Sequence, residues 1–132
     1  MDRRAREAER PRVMSASTLA GDAVTNATGE DLGRIEELMI DLQNGCVAYA
    51  VLSFGGFLGM GDKLFAVPFG ALTLDLQRKC FVLDVPREKL EAAPGFDKSD
   101  WPDFADASFG DEVYGYYGVA AYWTEAETKH GR

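Results

Sequence analysis

Asn44 to Leu72 reads N-G-C-V-A-Y-A-V-L-S-F-G-G-F-L-G-M-G-D-K-L-F-A-V-P-F-G-A-L, and the fold turns on this stretch. Asn44-Gly45 is the strongest short-range hairpin signal, because both residue types tolerate positive φ. Cys46 to Phe54 then runs without a charge and is rich in β-branched and aromatic side chains, which predicts a buried strand. Alternation sets Val47, Tyr49 and Val51 on one face and Ala48, Ala50, Leu52 and Phe54 on the other. Both faces are apolar, so both need cover: one from a barrel core, the other from the C-terminal segment or another subunit. Gly55, Gly56, Gly59 and Gly61 form a glycine-dense connection that holds Phe57, Leu58 and Met60. Lys63 to Val67 predicts the returning antiparallel strand, stopped by Pro68, which has no N–H to give a ladder.

Upstream, Ser15 to Leu19 predicts a short capped turn, and Asp22 to Asn26 a first strand around Ala23 and Val24. Arg34 to Leu42 fits two periods. Ile35, Leu38, Met39 and Leu42 suit a helix, whereas Leu38, Ile40 and Leu42 alternate against Met39 and Asp41. The Asn-Gly hairpin that follows decides for strand, with a bulge near Glu36-Glu37 to restore the phase of Ile35. Downstream, Pro68 to Leu72 is a single turn, Thr73 to Leu76 a brief strand and Cys80 to Val85 a closing strand. Pro86 then predicts a helix over Arg87 to Ala93, with Pro86 at its first position and Leu90 facing in. Six or so short strands in so few residues predict an all-β fold, a small antiparallel barrel or sandwich. Closure is the better fit because no strand carries edge-guarding charge.

From Phe96 onward Asp97, Asp100, Asp103, Asp106 and Asp111 are interleaved with Phe96, Trp101, Phe104 and Phe109, and Tyr114, Tyr116, Tyr117, Tyr122 and Trp123 follow. No clean period emerges, so the expectation is an extended aromatic tail laying its rings over apolar surface. The chain therefore divides into a disordered basic arm at 1–14, a barrel domain at 15–94 and an acidic, aromatic extension at 95–132 that packs on the barrel or on a partner subunit.

The formal charge is −8, with five arginines in a first segment of +2 and hence −10 in the rest. An acidic body repels phosphate backbones, so no nucleic-acid partner is expected. No apolar run is long enough to span a bilayer and the N-terminus lacks a hydrophobic signal, so the expectation is a cytoplasmic protein without stable membrane insertion. Cys46 and Cys80 sit in predicted strands and read as small buried hydrophobes in a reducing compartment.

Chemistry is sparse. His130, the only histidine, lies near the C-terminus and reads as solvated. The glycine-rich loop lacks the Lys-Ser/Thr and the following helix of a phosphate cradle. The carboxylates of the extension lack a calcium-loop pattern, and Glu36 and Glu37, adjacent on a strand, point to opposite faces. No catalytic residue, metal or cofactor is expected.

The segments T-G-E-D-L-G-R-I-E-E-L-M-I-D, V-A-Y-A-V-L-S-F-G-G-F-L-G-M-G-D-K-L-F-A-V-P-F-G-A-L and F-V-L-D-V-P-R-E-K-L-E-A-A-P-G-F-D, in that order, resemble the PRC-barrel family over about Ser15 to Phe96. Gly55 to Phe69 carries the most specific part. That family includes the cytoplasmic domain of the photosynthetic reaction-centre H subunit and the C-terminal domain of the RimM ribosome-maturation factor; the tail resembles those of free-standing bacterial members. The resemblance implies a small six-stranded barrel used for docking, with no catalytic motif. The favoured expectation is a non-enzymatic, self-associating interaction module, a homodimer that also takes an unidentified protein partner. Its interaction residues are Phe57, Leu58, Met60, Tyr49, Tyr116, Tyr117 and Trp123, with two readings open for Phe57, Leu58 and Met60: side chains folded back to plug one barrel end, or an exposed apolar knob for a partner. The alternative is a small-ligand or pigment binder, associated with photosynthetic or membrane complexes, whose pocket is lined by Phe54, Phe57, Tyr116, Tyr117 and Trp123.

Overall fold

A computed structural model of the chain describes residues 13–55 and 62–123. A short helix α1 (Ala16–Leu19) is capped by Ser15, whose hydroxyl accepts the Thr18 N–H at 3.2 Å. Six strands follow: β1 (Ala23–Thr25), β2 (Asp31–Asp41), β3 (Cys46–Gly55), β4 (Asp62–Pro68), β5 (Leu72–Asp75) and β6 (Cys80–Leu83). They form one sheet in the order β4-β3-β2-β1-β6-β5. Helix α2 (Arg87–Ala92) comes next, with Pro86 as the residue before it rather than its first member, since its ψ of 149° is extended.

The strand reading of Arg34 to Leu42 holds as far as Asp41, with Leu42 already in the turn, and the ladder between β2 and β3 slips between Ile35 and Glu37, where the phase required a bulge. β2 bends closely over β3 at Gly33, whose φ is +100° and where a Cβ would stand 2.2 Å from the Ser53 carbonyl oxygen. Only glycine fits such a contact. The turn between β1 and β2 is organised by buried Asn26. Its Oδ1 accepts the Glu30 N–H and the Thr28 hydroxyl, both at 2.8 Å, and its Nδ2 donates to the Val85 carbonyl at 3.2 Å.

Two expectations about the sheet are corrected. It is mixed, not purely antiparallel: β1 runs parallel to β6 through Val24↔Phe81 and Thr25↔Val82. The reason lies in the 3₁₀ turn Phe69–Ala71. It does not reverse the chain as a hairpin would. The pairings give β4 and β5 the same direction and place them at opposite edges of the sheet. Among the described residues the barrel is therefore also not closed by hydrogen bonds; the sheet curls into a half-barrel. The β4 edge is instead met by Phe96, which exchanges two backbone hydrogen bonds with Leu64 at 2.8 and 2.9 Å.

The concave side holds the main core, with Val24, Leu32, Ile35, Leu52, Phe65, Val67, Phe81 and Leu83 almost wholly buried, and Leu90 of α2 inserted from the side. Each such side chain contributes roughly 1.5–3 kcal/mol. A third correction concerns the tail. It is not extended throughout: Ala107–Tyr117 is a helix, α3, capped by Asp106, whose Oδ1 accepts the Ser108 N–H at 3.0 Å. Gly110 and Gly115 lower the helix propensity and mask the period, but Phe109, Val113 and Tyr117 recur at helical spacing. Cys80 is buried and Cys46 half-buried, and both are free thiols.

Candidate functional site

The convex face of the sheet has its own apolar cluster, centred on Tyr49 of β3. Tyr49 is buried, and three rings meet it: Phe104 at 5.3 Å, Phe109 at 5.7 Å and Tyr114 at 5.7 Å between centroids. From Phe104 the chain of rings continues to Phe96 and Trp101; from Tyr114 it continues to Tyr122 and Trp123, the last at 4.8 Å. Edge-on pairs of this kind add about 0.5–1.5 kcal/mol each beyond their burial. Polar handles fix the arrangement. The Tyr114 hydroxyl donates to the Ala48 carbonyl at 2.6 Å, and the Tyr122 hydroxyl donates to the Asp41 carboxylate. Gly110 lets α3 come this close: a Cβ there would lie 3.0 Å from the Tyr49 hydroxyl and 3.2 Å from the Trp123 ring.

Asp41 is where sheet and tail are tied. Its carboxylate also accepts the Gln43 and Asn44 N–H groups at 3.0 and 3.1 Å and the Asn44 amide at 2.9 Å, which shapes the β2–β3 turn. The hydrogen bond from Tyr122, and then those from Asn44, hold its carboxyl below the usual carboxylate range. Burial, reinforced by Asp41, pushes the Tyr122 hydroxyl far up.

Where the hairpin tip meets the tail an open groove of about 520 Å³ remains. Ala48, Tyr49, Phe104 and Trp123 line it from sheet and tail, and Met39, Ile40 and Leu42 from the hairpin. Asp41, Asn44 and Asp106 supply polar groups, and among the described residues no lysine or arginine lines it. Leu42 is 89% exposed and Ile40 50% exposed, so the apolar surface spills out at the tip. The groove offers an aliphatic and aromatic lining with carboxylates at hand. Among the described residues no group of three or more His, Cys, Asp or Glu side chains could hold a metal ion.

The residues singled out from sequence are distributed unevenly over this architecture. Tyr49 and Trp123 line the groove. Tyr116 and Tyr117 pack instead against the concave core, where the Tyr116 hydroxyl donates to the Lys89 carbonyl at 2.6 Å. Phe54 belongs to that concave core as well, so the rings imagined as lining one ligand pocket fall into two separate clusters. Phe57, Leu58 and Met60, like His130, lie outside the described residues. Sequence reasoning missed Ile40, Leu42 and Asp41 as site residues. The signal available was Leu42, an aliphatic residue placed beside the Asn-Gly turn, where a solvated residue is the norm.

A half-barrel of six curled strands, with a ring-packed outer face and an apolar groove at one hairpin tip, defines a small β-domain built around surfaces. Residues 11–90 match the family model of the PRC-barrel domain, and the chain belongs to that family. No curated protein matches the chain significantly. No helix among the described residues is long and apolar enough to cross a membrane.

Proposed function

We propose that this chain is a non-enzymatic docking module whose working surface is the groove at the β2–β3 tip. The PRC-barrel domain is a small domain often involved in protein interactions. The observation that carries the reading is the pair Ile40 and Leu42, exposed beside a groove lined by buried Tyr49 and by half-buried Phe104, Tyr122 and Trp123. Isolated exposed aliphatics are ordinary; contiguous ones at the mouth of an apolar groove mark a contact surface. Self-association is the second reading, favoured by the same pair, since a two-fold contact would bury both residues on each copy at once. Two free thiols fit a cytoplasmic setting.

The test is the double substitution Ile40→Ser and Leu42→Ser in the full chain. The expected result is loss of a partner recovered with the unsubstituted chain from its native cell, with the urea midpoint unchanged. Sedimentation at micromolar concentration separates the two readings: a species above 14.5 kDa that the double substitution abolishes means a second copy is the partner. Equal recovery by both chains overturns the assignment of the surface.

A further inference from the structure

We propose that the hairpin-tip groove seats an extended, cationic and apolar segment of another protein, which adds to the outer edge of β2 as a further strand. This rests on the docking reading above and gives the partner a chemistry.

β1 and the two residues before it cover the outer edge of β2 only as far as Ile35. There the Gly21 N–H donates to the Ile35 carbonyl at 2.7 Å and the Ile35 N–H donates to the Asp22 carbonyl at 2.9 Å. From Glu37 to Asp41, β2 is paired with β3 on one side, Glu37↔Val51 through Asp41↔Cys46. Among the described residues no strand lies on the other side. Such an edge is a ready template for a strand from elsewhere. The two edges of the sheet proper are handled otherwise: Phe96 pairs with β4, and β5 is only four residues long. The open run of β2 also carries apolar side chains, and its Met39, Ile40 and Asp41 line the groove together with Leu42. Met39, Ile40 and Asp41 thus belong both to the open run of β2 and to the groove.

Charge sets the chemistry of the occupant. Asp41 and Asp106 line the groove, Glu37 stands on the open edge, and the chain beyond its arginine-rich start carries −10. A strand with basic residues on one alternation and apolar residues on the other answers both features, its cations toward the carboxylates and its apolar side chains in the groove. A second copy answers them less well. A two-fold antiparallel pairing of β2 centred on Met39 sets each Glu37 opposite the other copy's Asp41, and like charges directly opposite are destabilising.

The experiment uses the full chain and a fluorescein-labelled synthetic peptide of about ten residues, typical of a long strand, that alternates lysine and valine. Two control peptides replace lysine by glutamate, or methylate alternate backbone amides so that no ladder can form. Fluorescence anisotropy is expected to give micromolar affinity for the lysine peptide, weakened at least about tenfold by either control and by Ile40→Ser with Leu42→Ser. Amide resonances of Glu37 to Leu42 are expected to shift on binding. No binding up to millimolar peptide, equal binding of the glutamate peptide, or shifts confined to Leu72–Asp75 would overturn the proposal. So would displacement of the probe at equal affinity by a synthetic peptide of residues 1–13, which would assign the groove to the chain's own arm, or self-association abolished by the tip substitutions. If the tip variant loses its cellular partner while the lysine peptide fails to bind, the docking reading stands and this one falls.

Discussion

Asp41 ends β2, shapes the turn after it and receives the hydroxyl of Tyr122 from the tail, so one carboxylate couples three parts of the chain. Two other tyrosines make opposite bargains with burial. Tyr114 places its hydroxyl on the Ala48 carbonyl, whereas the Tyr117 hydroxyl is buried with no hydrogen-bond partner among the described residues. Tyr114→Phe is therefore expected to cost about 1–2 kcal/mol, because it strands a buried carbonyl, and Tyr117→Phe to be neutral or stabilising by up to about 1 kcal/mol. Urea unfolding of the two variants checks the contrast; equal losses would contradict it. Gly33→Ala meets both a positive φ and the Ser53 carbonyl, and is expected to cost roughly 2–4 kcal/mol by the same measurement.

At the scale of elements, the C-terminal segment is a covering layer held by tyrosine hydroxyls, and its docking depends on pH at both ends. Asp41 has a depressed carboxyl, so the stability it contributes is present above the ordinary carboxylate range and is lost as pH falls below about 4. Burial pushes up the hydroxyls of Tyr49, Tyr114, Tyr117 and Tyr122, which favours their neutral forms. That stability is present up to pH about 10 and is lost as pH rises beyond it. Tyrosinate absorbance is therefore expected to lag behind free tyrosine and to rise together with loss of near-ultraviolet circular dichroism. Ionisation of every tyrosine at the ordinary pH, with the dichroism intact, would contradict the layer. The strands of this layer's platform were legible because period-2 alternation and an Asn-Gly turn are local signals. α3 was not, because glycines at 110 and 115 dilute the pattern and its rings face two different clusters. The parallel pairing of β1 with β6 was illegible for another reason. It follows from a turn at Phe69–Ala71 that fails to reverse the chain, and nothing in F-G-A says which way a chain leaves.

At the scale of the whole molecule, the chain is a curled sheet with a core on one face and a ring-lined surface on the other. Phe65, Val67, Phe81 and Leu83 are buried as their alternation demands, while Val47 is only half-buried because it nears the open tip. The candidate site was less legible than the fold. Tyr49 and Trp123 were marked by their size, but whether a ring meets solvent or its own chain is decided by a tail that closes in from more than fifty residues away. The groove exists only once that tail is seated, so no window of sequence contains it. A photo-cross-linking residue placed at Leu42 of the full chain in its native cell, beside a control at exposed Glu88, tests the account most directly. A discrete protein adduct from position 42 and none from position 88 is the expected result; the same adducts from both positions, or none from 42, would contradict a docking surface at the β2–β3 tip.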